Sequence, residues 1–529
     1  MDAWARNLAP GGLLQLPWRV LGALIAARLA LYLLSAGPLA YGVMSDELYY
    51  LDCADHLAWG YVDHPPLSIG VLAAMRALLG SSLLALRLVP ALLHGALMVL
   101  SALIARELGG GRAAQGLAAT AALAAPVFLA VTGFYSMNAF EPALWAGAAL
   151  LVARIVKLPH GGSPMRLWPP LGVVLGLALL NKISTLWFGA GIGVGLVLTR
   201  ERRWLATHWP WTCFAIALVI FSPHLLWQLQ HDLPTLEFMR NATRLKMIAK
   251  SPLALLGEQL LILNPVLVPF WLAGLAWYFV SREGKRFQWL AWIWITVLVI
   301  LVASGSSRAN YLGPAYSVLL PAGGVVVERL AQLRAWRWLP GATAAVFLLA
   351  GAITAPFAID LLPPARFVVY QRAIGLSAPV DQIDELGAMP LHFALRFGWP
   401  ELVEAVARAQ ATLTPAEREQ AVVLGSWFGG TAAINVLGRE RGLPRAISGH
   451  NSYWLWGPGG TSGEVLLALA ESGDEERLRA LRAWYEDVTR VAEVDCEYCL
   501  PELARVGIYV CRRPRRPIEQ WWPEVKVYR

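Results

Sequence analysis

The sequence predicts a mainly α-helical, polytopic membrane protein with a small α/β domain at its C-terminal end. Of its 529 residues, 57% are hydrophobic and only 15% are charged, whereas an ordinary soluble domain has about 25% charged residues. Apolar runs of about 20 residues, the length that crosses a bilayer, recur from residue 14 to about residue 358. The formal net charge of +8 comes mostly from short connections between these runs. It therefore indicates membrane orientation rather than nucleic-acid binding.

The apolar runs predict about eleven spans, and basic residues in every second connection predict their orientation. The spans are expected at residues 18–40, 83–105, 113–132, 141–157, 168–183, 185–199, 209–229, 255–280, 287–303, 311–327 and 338–358. The basic connections are expected to face the cytoplasm together with the N-terminus. No cleavable-signal pattern is recognisable there, so the first span is expected to stay in the protein. The lack of an endoplasmic-reticulum address favours a bacterial inner membrane.

A change of composition near residue 360 predicts two domains. We expect a membrane domain at residues 1–360 and a soluble, extracytoplasmic α/β domain at residues 361–529, because an odd number of spans ends outside. Within the second domain, Val422–Trp427 and Val506–Cys511 are typical of buried strands. Residues 473–489 have the pattern of an amphipathic helix.

Two features of the C-terminal domain leave alternatives open. An extracytoplasmic location favours a disulfide between Cys511 and either Cys496 or Cys499. Zinc is the weaker alternative, because a single Cys-x-x-Cys pair lacks the second pair of a structural zinc site. The polar, aromatic segment Ser448–Trp456 suits either a loop that contacts carbohydrate or the membrane surface, or a packed strand and turn.

The first outer loop, residues 41–82, concentrates acidic side chains in a chain with few of them. Asp46–Glu47 and Asp63–His64 lie within nineteen residues. A carboxylate at bilayer depth costs about 2.5–3.5 kcal/mol, so such a cluster indicates a function. The alternative is structural: Ser45 could cap a short helix whose first turn favours acidic residues.

The same loop predicts two short helices. Residues 46–59 have apolar side chains at near-helical spacing, which is typical of a helix that lies along the interface. Residues 67–79 form an apolar stretch that is short for a membrane span, and we expect a re-entrant or interfacial helix there.

Further polar residues are expected on the same side of the membrane. The connection Ser136–Pro142 contains Asn138 and Glu141. Pro142 suits the first turn of a helix, so Glu141 could also be a simple cap. Basic residues expected at this level are His64, Lys182, Arg240, Lys246 and Arg308. They could contact lipid headgroups, but together with the acids they suit a general base beside an anion.

Four of these motifs resemble glycosyltransferase family 39. They are Asp46–Glu47 at the start of the first outer loop, the His-Pro-Pro-Leu segment His64–Leu67, the acid–proline pair Glu141–Pro142, and Arg308–Tyr316. The last resembles the basic segment with tyrosine and proline that reaches the donor phosphate. This family includes the protein O-mannosyltransferases and is related to the aminoarabinose transferases acting on lipid A. The resemblance, over the layout of residues 20–360, implies the GT-C membrane fold and a polyprenyl-phosphate sugar donor.

The polar residues and the resemblance together predict a set of site residues. Catalytic roles are expected for Asp46, as general base or acceptor-positioning group, and for Glu47 and Glu141. Substrate-binding roles are expected for Asp63, His64, Asn138, Lys182, Arg308 and Tyr311. Asp63 and His64 are also candidate ligands of a divalent metal ion, although His64 stands where the aminoarabinose branch has a lysine.

These residue types suit an inverting sugar transfer. Such a reaction needs a base to remove the acceptor proton and positive charge to stabilise the leaving phosphate. We therefore expect a membrane glycosyltransferase whose acceptor is an extracytoplasmic protein, lipid or glycan. A transporter or flippase of a lipid-linked sugar is the main alternative, but the sequence lacks the internal inverted repeat typical of transporters. A non-catalytic assembly protein is the other alternative.

Overall fold

The computed structural model describes residues 16–158, 163–305, 307–375, 387–471, 473–501 and 503–529. Up to residue 374 its α-helices are α1 (Trp18–Ser35), α2 (Ser45–Asp55), α3 (Leu67–Leu79), α4 (Leu83–Glu107), α5 (Arg112–Ala124), α6 (Pro126–Val131), α7 (Met137–Val156), α8 (Trp168–Asn181), α9 (Thr185–Leu198), α10 (Trp209–Gln230), α11 (Pro234–Leu245), α12 (Pro252–Ile262), α13 (Val268–Val280), α14 (Gln288–Ser304), α15 (Leu319–Ala331), α16 (Leu339–Thr354) and α17 (Pro364–Ile374).

The C-terminal part of the chain alternates short helices with five strands. In chain order these are α18 (Leu391–Ala394), α19 (Trp399–Ala411), α20 (Pro415–Gln420), β1 (Ala421–Leu424), α21 (Phe428–Leu437), β2 (Ala446–Ile447), α22 (Ser452–Trp456), β3 (Val465–Glu471), α23 (Glu475–Trp484), β4 (Tyr485–Glu493), β5 (Val506–Pro514) and α24 (Ile518–Trp521). The mainly helical class with a small C-terminal sheet is as the sequence predicted.

Among the described residues, six helices are long and apolar enough to cross a membrane. They are Trp18–Ser35, Leu83–Glu107, Met137–Val156, Trp209–Gln230, Gly284–Ser304 and Arg334–Phe357. A seventh span is possible if Pro252–Ile262 and Pro265–Val280, which are bent by 100°, form one broken crossing. The chain is therefore a multi-pass membrane protein, but the predicted count of eleven spans is not confirmed.

Breaks in the helices explain most of the difference in span count. The predicted span 113–132 is divided where α6 begins at Pro126. Proline lacks a backbone N–H donor, and its ring clashes with a carbonyl group of the preceding helical turn. The predicted span 311–327 begins as a 3₁₀-helix, Ala309–Val318. The predicted span 255–280 bends at Asn264, whose φ is +79°. Continuous hydropathy therefore conceals backbone interruptions in these three segments.

The chain forms two compact units. The first comprises the described residues of Met1–Ala40, Leu84–Leu226 and Ile248–Leu362. The second comprises Tyr41–Leu83, Trp227–Met247 and the described residues of Pro363–Arg529. The predicted loop 41–82 thus belongs to the same compact unit as the C-terminal strands.

The second unit contains a mixed five-stranded sheet in the order β2-β1-β3-β5-β4. β1 is parallel to β2 and β3, whereas β5 is antiparallel to both β3 and β4. β1 and β5 confirm the two strands predicted around Val422 and Val506. The predicted helix 473–489 is shorter: α23 ends at Trp484, and the chain continues directly into β4.

The predicted disulfide of Cys511 is wrong for this structure, in which all five cysteines are free thiols. Cys511 lies within β5, opposite Leu466 of β3 and Val488 of β4, and its side chain is fully buried in the sheet core. Cys496 and Cys499 instead lie in the connection between β4 and β5. The position of Cys511 between two paired strands therefore places its side chain in the core, away from Cys496 and Cys499 in the connecting loop.

In the first unit, α9 packs closely on α14 through two glycines of α9. A Cβ added at Gly191 would lie 2.7 Å from Ile293 Cα, and one at Gly195 would lie 2.1 Å from the Trp289 ring. The Trp289 indole N–H donates to the Ile192 carbonyl at 2.8 Å. Small residues let helix backbones approach in this way, and helix pairs in membranes commonly use them.

Gly191→Ala should therefore loosen the contact between α9 and α14 and lower the thermal midpoint of the detergent-solubilised protein. Overpacking of this kind costs about 1–3 kcal/mol. Gly193→Ala on the same helix is the matched control, because nothing lies within 4 Å of its Cβ position. Both substitutions gain helix propensity, so the difference between them isolates the clash. Equal thermal midpoints for the two variants would contradict this packing.

Candidate active site

In the first unit, Glu141 lies near the start of α7 and is almost completely buried. The N-cap of α7 is Ser136, whose hydroxyl accepts the Asn138 amide N–H at 3.2 Å. Pro142 lies inside the helix rather than at its first position. The interpretation of Glu141 as a cap is therefore wrong, and its carboxylate is available for other partners.

The carboxylate of Glu141 is held by residues at the break between α8 and α9. Lys182 Nζ lies 2.8 Å from Glu141 Oε2, and the Ser184 hydroxyl donates to the other carboxylate oxygen. The same Nζ lies 4.9 Å from the centre of the Tyr311 ring, close enough for a cation–π contact. Lys182 and Glu141 are 12% and 3% exposed at their side chains, so this is a buried, hydrogen-bonded ion pair.

A small cleft opens beside this ion pair. Its lining residues are Val127, Phe128, Val131, Asn138, Glu141, Pro142, Lys182, Asn310, Gly313 and Pro314. The cavity volume is about 10 Å³, which admits one water-sized group and excludes a sugar ring. The buried side-chain oxygen of Asn310 has no hydrogen-bond partner among the described residues. The cleft is therefore suited to a single polar group of a ligand.

Arg308 and Tyr311 belong to the same turn of the first unit. Arg308 is the N-cap of the 3₁₀-helix Ala309–Val318 and is partly exposed. Tyr311 lies on that helix, and its ring centre is 6.0 Å from that of Trp187. The 3₁₀-helix thus carries the Arg308 guanidinium at its start and, three residues later, the Tyr311 ring that contacts Lys182.

In the second unit, the two acids at the start of α2 differ in exposure. Glu47 is fully buried, and its carboxylate accepts the Met44 amide N–H at 2.9 Å. The Ser45 amide donates to the Leu395 carbonyl at 3.0 Å. The N-cap is Met44 rather than Ser45, so the proposed Ser45 cap is wrong and Glu47 closes the helix end. Asp46 is partly exposed and is the accessible carboxylate of the pair.

Asp63 and His64 are built into an aromatic cluster of the second unit. The Tyr49 hydroxyl donates to Asp63 Oδ1 at 2.9 Å and lies 2.8 Å from the Ser452 hydroxyl. His64 is 1% exposed, and its ring centre lies 4.6 Å from that of Tyr50 and 5.9 Å from that of Tyr49. Burial and the neighbouring Asp63 raise the pKa of Tyr49. His64 is thus placed to pack, and its binding role stays a prediction.

The metal prediction for Asp63 and His64 lacks a third protein ligand. In the described part of the chain, no three His, Cys, Asp or Glu side chains come together in a way that could hold a metal ion. His64 Nε2 lies 4.0 Å from Asp63 Oδ1, and its Nδ1 lies 3.1 Å from the Pro65 carbonyl. The residues present do not fit a protein-ligated metal, and no reaction step is assigned to one.

The C-terminal half of α2 is fixed by residues that sequence reasoning did not identify. Asp52 accepts hydrogen bonds from the Tyr453 hydroxyl and from Asn435 Nδ2, the latter at 2.8 Å. Asp55 pairs with Arg76 at 2.6 Å and with Arg439 at 2.8 Å. Burial raises the pKa of Asp52, an effect that the hydrogen bonds from Tyr453 and Asn435 oppose.

The signal for this network was the polar, aromatic segment Ser448–Trp456. The structure resolves its two alternatives in favour of packing, because Ser452 and Tyr453 are buried and contact α2. The segment forms the connection after β2 and then the helix α22, whereas the packed alternative proposed a strand and a turn. Residues of the C-terminal part therefore position the helix that begins with Asp46.

The predicted site residues thus form two groups. Asn138, Glu141, Lys182, Arg308 and Tyr311 lie in the first unit, and all but Arg308 are linked through the cleft or the ion pair. Asp46, Glu47, Asp63 and His64 lie in the second unit. The predicted convergence of Asp46 with Glu141 stays a prediction, because the two residues belong to different units.

Comparisons with known proteins identify related sequences and folds. A family model described as dolichyl-phosphate-mannose-protein mannosyltransferase matches residues 63–227. The lipid A galacturonosyltransferase RgtD of Rhizobium johnstonii is 24% identical over 278 residues, which cover 51% of this chain and 58% of that protein. The chain therefore spans less than two thirds of this curated relative.

Solved structures of membrane proteins share the fold of this chain. ArnT from Cupriavidus metallidurans in the apo state has a TM-score of 0.57 at 16% identity, covering 92% of this chain and 97% of that one. Its complex with undecaprenyl phosphate has a TM-score of 0.56 at 15% identity, covering 95% and 98%. The archaeal oligosaccharyltransferase AglB from Archaeoglobus fulgidus has a TM-score of 0.52 at 13% identity, covering 85% and 69%.

The fold is that of the GT-C membrane glycosyltransferases, as the sequence predicted. The sequence resemblance to the mannosyltransferase-like family is likewise confirmed by the family model and the galacturonosyltransferase. At these identities the structural likeness concerns the fold alone.

Lys182→Met should destabilise the first unit, because the Glu141 carboxylate would stay buried without its cation. Breaking such a pair from one side costs about 3–5 kcal/mol. The double variant Glu141→Gln, Lys182→Met should recover most of the thermal midpoint in detergent. Lys157→Met is the control: its ion pair with Glu107 is partly exposed, and Glu107 keeps Arg154 as a partner. A double variant as unstable as Lys182→Met would show that the pair does not account for the loss.

Proposed function

We propose that this chain is a membrane glycosyltransferase that moves a sugar from a polyprenyl-phosphate donor to a glycolipid acceptor. The observation that carries the proposal is the buried Glu141–Lys182 ion pair beside a polar cleft in a GT-C fold. Such a pair is expensive to desolvate, and intramembrane ionisable residues commonly mark a substrate site.

Three similar proteins support the substrate class. One ArnT structure contains undecaprenyl phosphate, and one AglB structure contains a dolichol phosphate. The curated relative is named for transfer of galacturonic acid to lipid A. We therefore favour a glycolipid acceptor over the protein acceptor that the mannosyltransferase family model would suggest.

Asp46 is assigned as the general base of this transfer. It is the accessible carboxylate at the start of α2, whereas Glu47 is engaged with the Met44 amide. In the reaction the acceptor hydroxyl loses its proton to Asp46 as its oxygen forms a bond to the anomeric carbon, and the bond from that carbon to the donor phosphate breaks. Proton transfer to a positioned base contributes about 10²–10⁴-fold to such a rate.

The leaving phosphate is assigned to the basic residues of the first unit. Arg308 can bind two phosphate oxygens at once, because a guanidinium presents parallel N–H donors. Lys182 is held by Glu141 and Tyr311, so its ammonium is fixed in direction before a ligand arrives. Preorganised positive charge of this kind stabilises a developing anion without reorganisation during the reaction.

Asp46→Asn should abolish sugar transfer while leaving membrane insertion and donor binding intact, because it removes the base and retains the shape of the side chain. A loss of at least about 100-fold in kcat is expected. The assay is transfer of radiolabelled sugar from the polyprenyl-phosphate donor in reconstituted vesicles. Asp55→Asn makes the same chemical change on the same helix; it weakens the ion pairs with Arg76 and Arg439 but removes no base, so its loss of kcat should be much smaller. Wild-type turnover by Asp46→Asn would refute the assignment of the base.

Arg308→Ala should weaken binding of the polyprenyl-phosphate donor at least tenfold, and Arg308→Lys less, because lysine keeps the charge but loses the two-point contact. Direct binding to the purified protein in detergent measures this, independently of turnover. Donor affinity that is unchanged in both variants would exclude Arg308 from the phosphate site.

A further inference from the structure

The connection between β4 and β5 carries two cysteines that the proposed function does not use. Cys496 and Cys499 occupy a bend in this connection, and the Cys499 thiol lies 3.4 Å from the Cys496 carbonyl oxygen, to which it donates. Both side chains lie against Gly398, where an added Cβ would be 3.2 Å from Cys496 Sγ and 3.5 Å from Cys499 Cβ. The two side chains are therefore neighbours in this connection.

The two thiols differ in their surroundings. Cys496 is partly exposed, whereas Cys499 is 4% exposed. The neighbouring Cys499 thiol lowers the pKa of Cys496, and the neighbouring Cys496 thiol raises the pKa of Cys499. The thiolate is the nucleophile in thiol–disulfide exchange. An accessible first cysteine with a buried partner is the arrangement that such exchange needs.

The other three cysteines do not share these properties. Cys53 and Cys511 are fully buried, and Cys213 is 5% exposed. Burial raises the pKa of the Cys53 thiol, and it raises that of Cys511 to about 12. A disulfide reagent in solution therefore has access to Cys496 first.

We propose that Cys496 and Cys499 form a reversible dithiol–disulfide pair that exchanges with external disulfides. The Cys496 thiolate attacks one sulfur of the external disulfide, forming a mixed disulfide and releasing one thiolate. Cys499 loses its proton to solvent and attacks Cys496 Sγ, which forms the intrachain disulfide and releases the second thiolate. Two protein thiols are oxidised by two electrons, and one disulfide reagent is reduced to two thiols.

The cysteine pair packs against the segment of residues 395–398, which contacts the start of α2. A Cβ added at Gly398 would lie 3.2 Å from Cys496 Sγ, and the rings of Phe397 and Tyr498 are 5.7 Å apart. Leu395, two residues earlier, accepts the Ser45 amide at the start of α2. The cysteine pair thus packs against a segment that is hydrogen-bonded to the start of the helix containing Asp46.

The test uses the full-length protein in detergent, equilibrated with excess glutathione disulfide and then unfolded and alkylated. The number of alkylated thiols should fall from five to three, and a peptide linking Cys496 to Cys499 should appear, lighter by two hydrogens. Reduction with dithiothreitol should restore all five. Retention of five free thiols, or a link from Cys511 to either residue, would overturn the proposal.

Two single variants separate the roles of the two thiols. Cys499→Ser should accumulate a glutathione adduct on Cys496, because no second thiol resolves the mixed disulfide. Cys496→Ser should leave Cys499 unmodified. A glutathione adduct that forms equally on either remaining cysteine would contradict the assigned order of attack. Cys511→Ser should form the same Cys496–Cys499 link as the wild-type chain, and its failure to do so would also count against the pair.

Discussion

Charges and backbone amides in an apolar surrounding have to find partners within the protein, and this constraint governs the first unit. Where α8 stops and α9 begins, Lys182 and Ser184 satisfy Glu141. Where α12 bends away from α13, the Asn264 side chain accepts the Val266 amide at 3.2 Å. Two helix interruptions in this unit therefore carry polar side chains: one set holds a buried carboxylate, and Asn264 bonds a backbone amide at the bend.

The same constraint applies to arginines inside the first unit. Arg28 is 2% exposed and donates to the Thr132 carbonyl at 2.8 Å and to His94 Nδ1 at 3.0 Å. Arg87 lies 3.6 Å from the Asp360 carboxylate. Each of these guanidiniums joins segments distant in sequence. Buried polar contacts of this kind fix the register of helices whose surfaces are otherwise apolar and could slide.

The sequence predicts the fold class and supplies candidate site residues, because composition, hydropathy and short motifs are local signals. Hydropathy does not show where the helices break: Pro126 and Asn264 interrupt runs that are predominantly apolar on both sides of the break. The sequence also does not distinguish the roles of Asp46 and Glu47. The structure does, because the Glu47 carboxylate accepts the Met44 amide at the start of the helix. The contacts of Asp52 with Tyr453 and Asn435 join residues that are 401 and 383 positions apart, and no local pattern encodes them.

Asp52 gives α2 a dependence on protons. Because burial raises its pKa, the folded second unit binds a proton that the unfolded chain releases between the ordinary carboxyl value of 3.8 and the raised one. The contribution of Asp52 to stability is therefore greatest in acid and declines as the pH rises through the raised pKa. The stabilising contribution of Asp52 to the second unit therefore changes with pH only between the ordinary carboxyl pKa and the raised one.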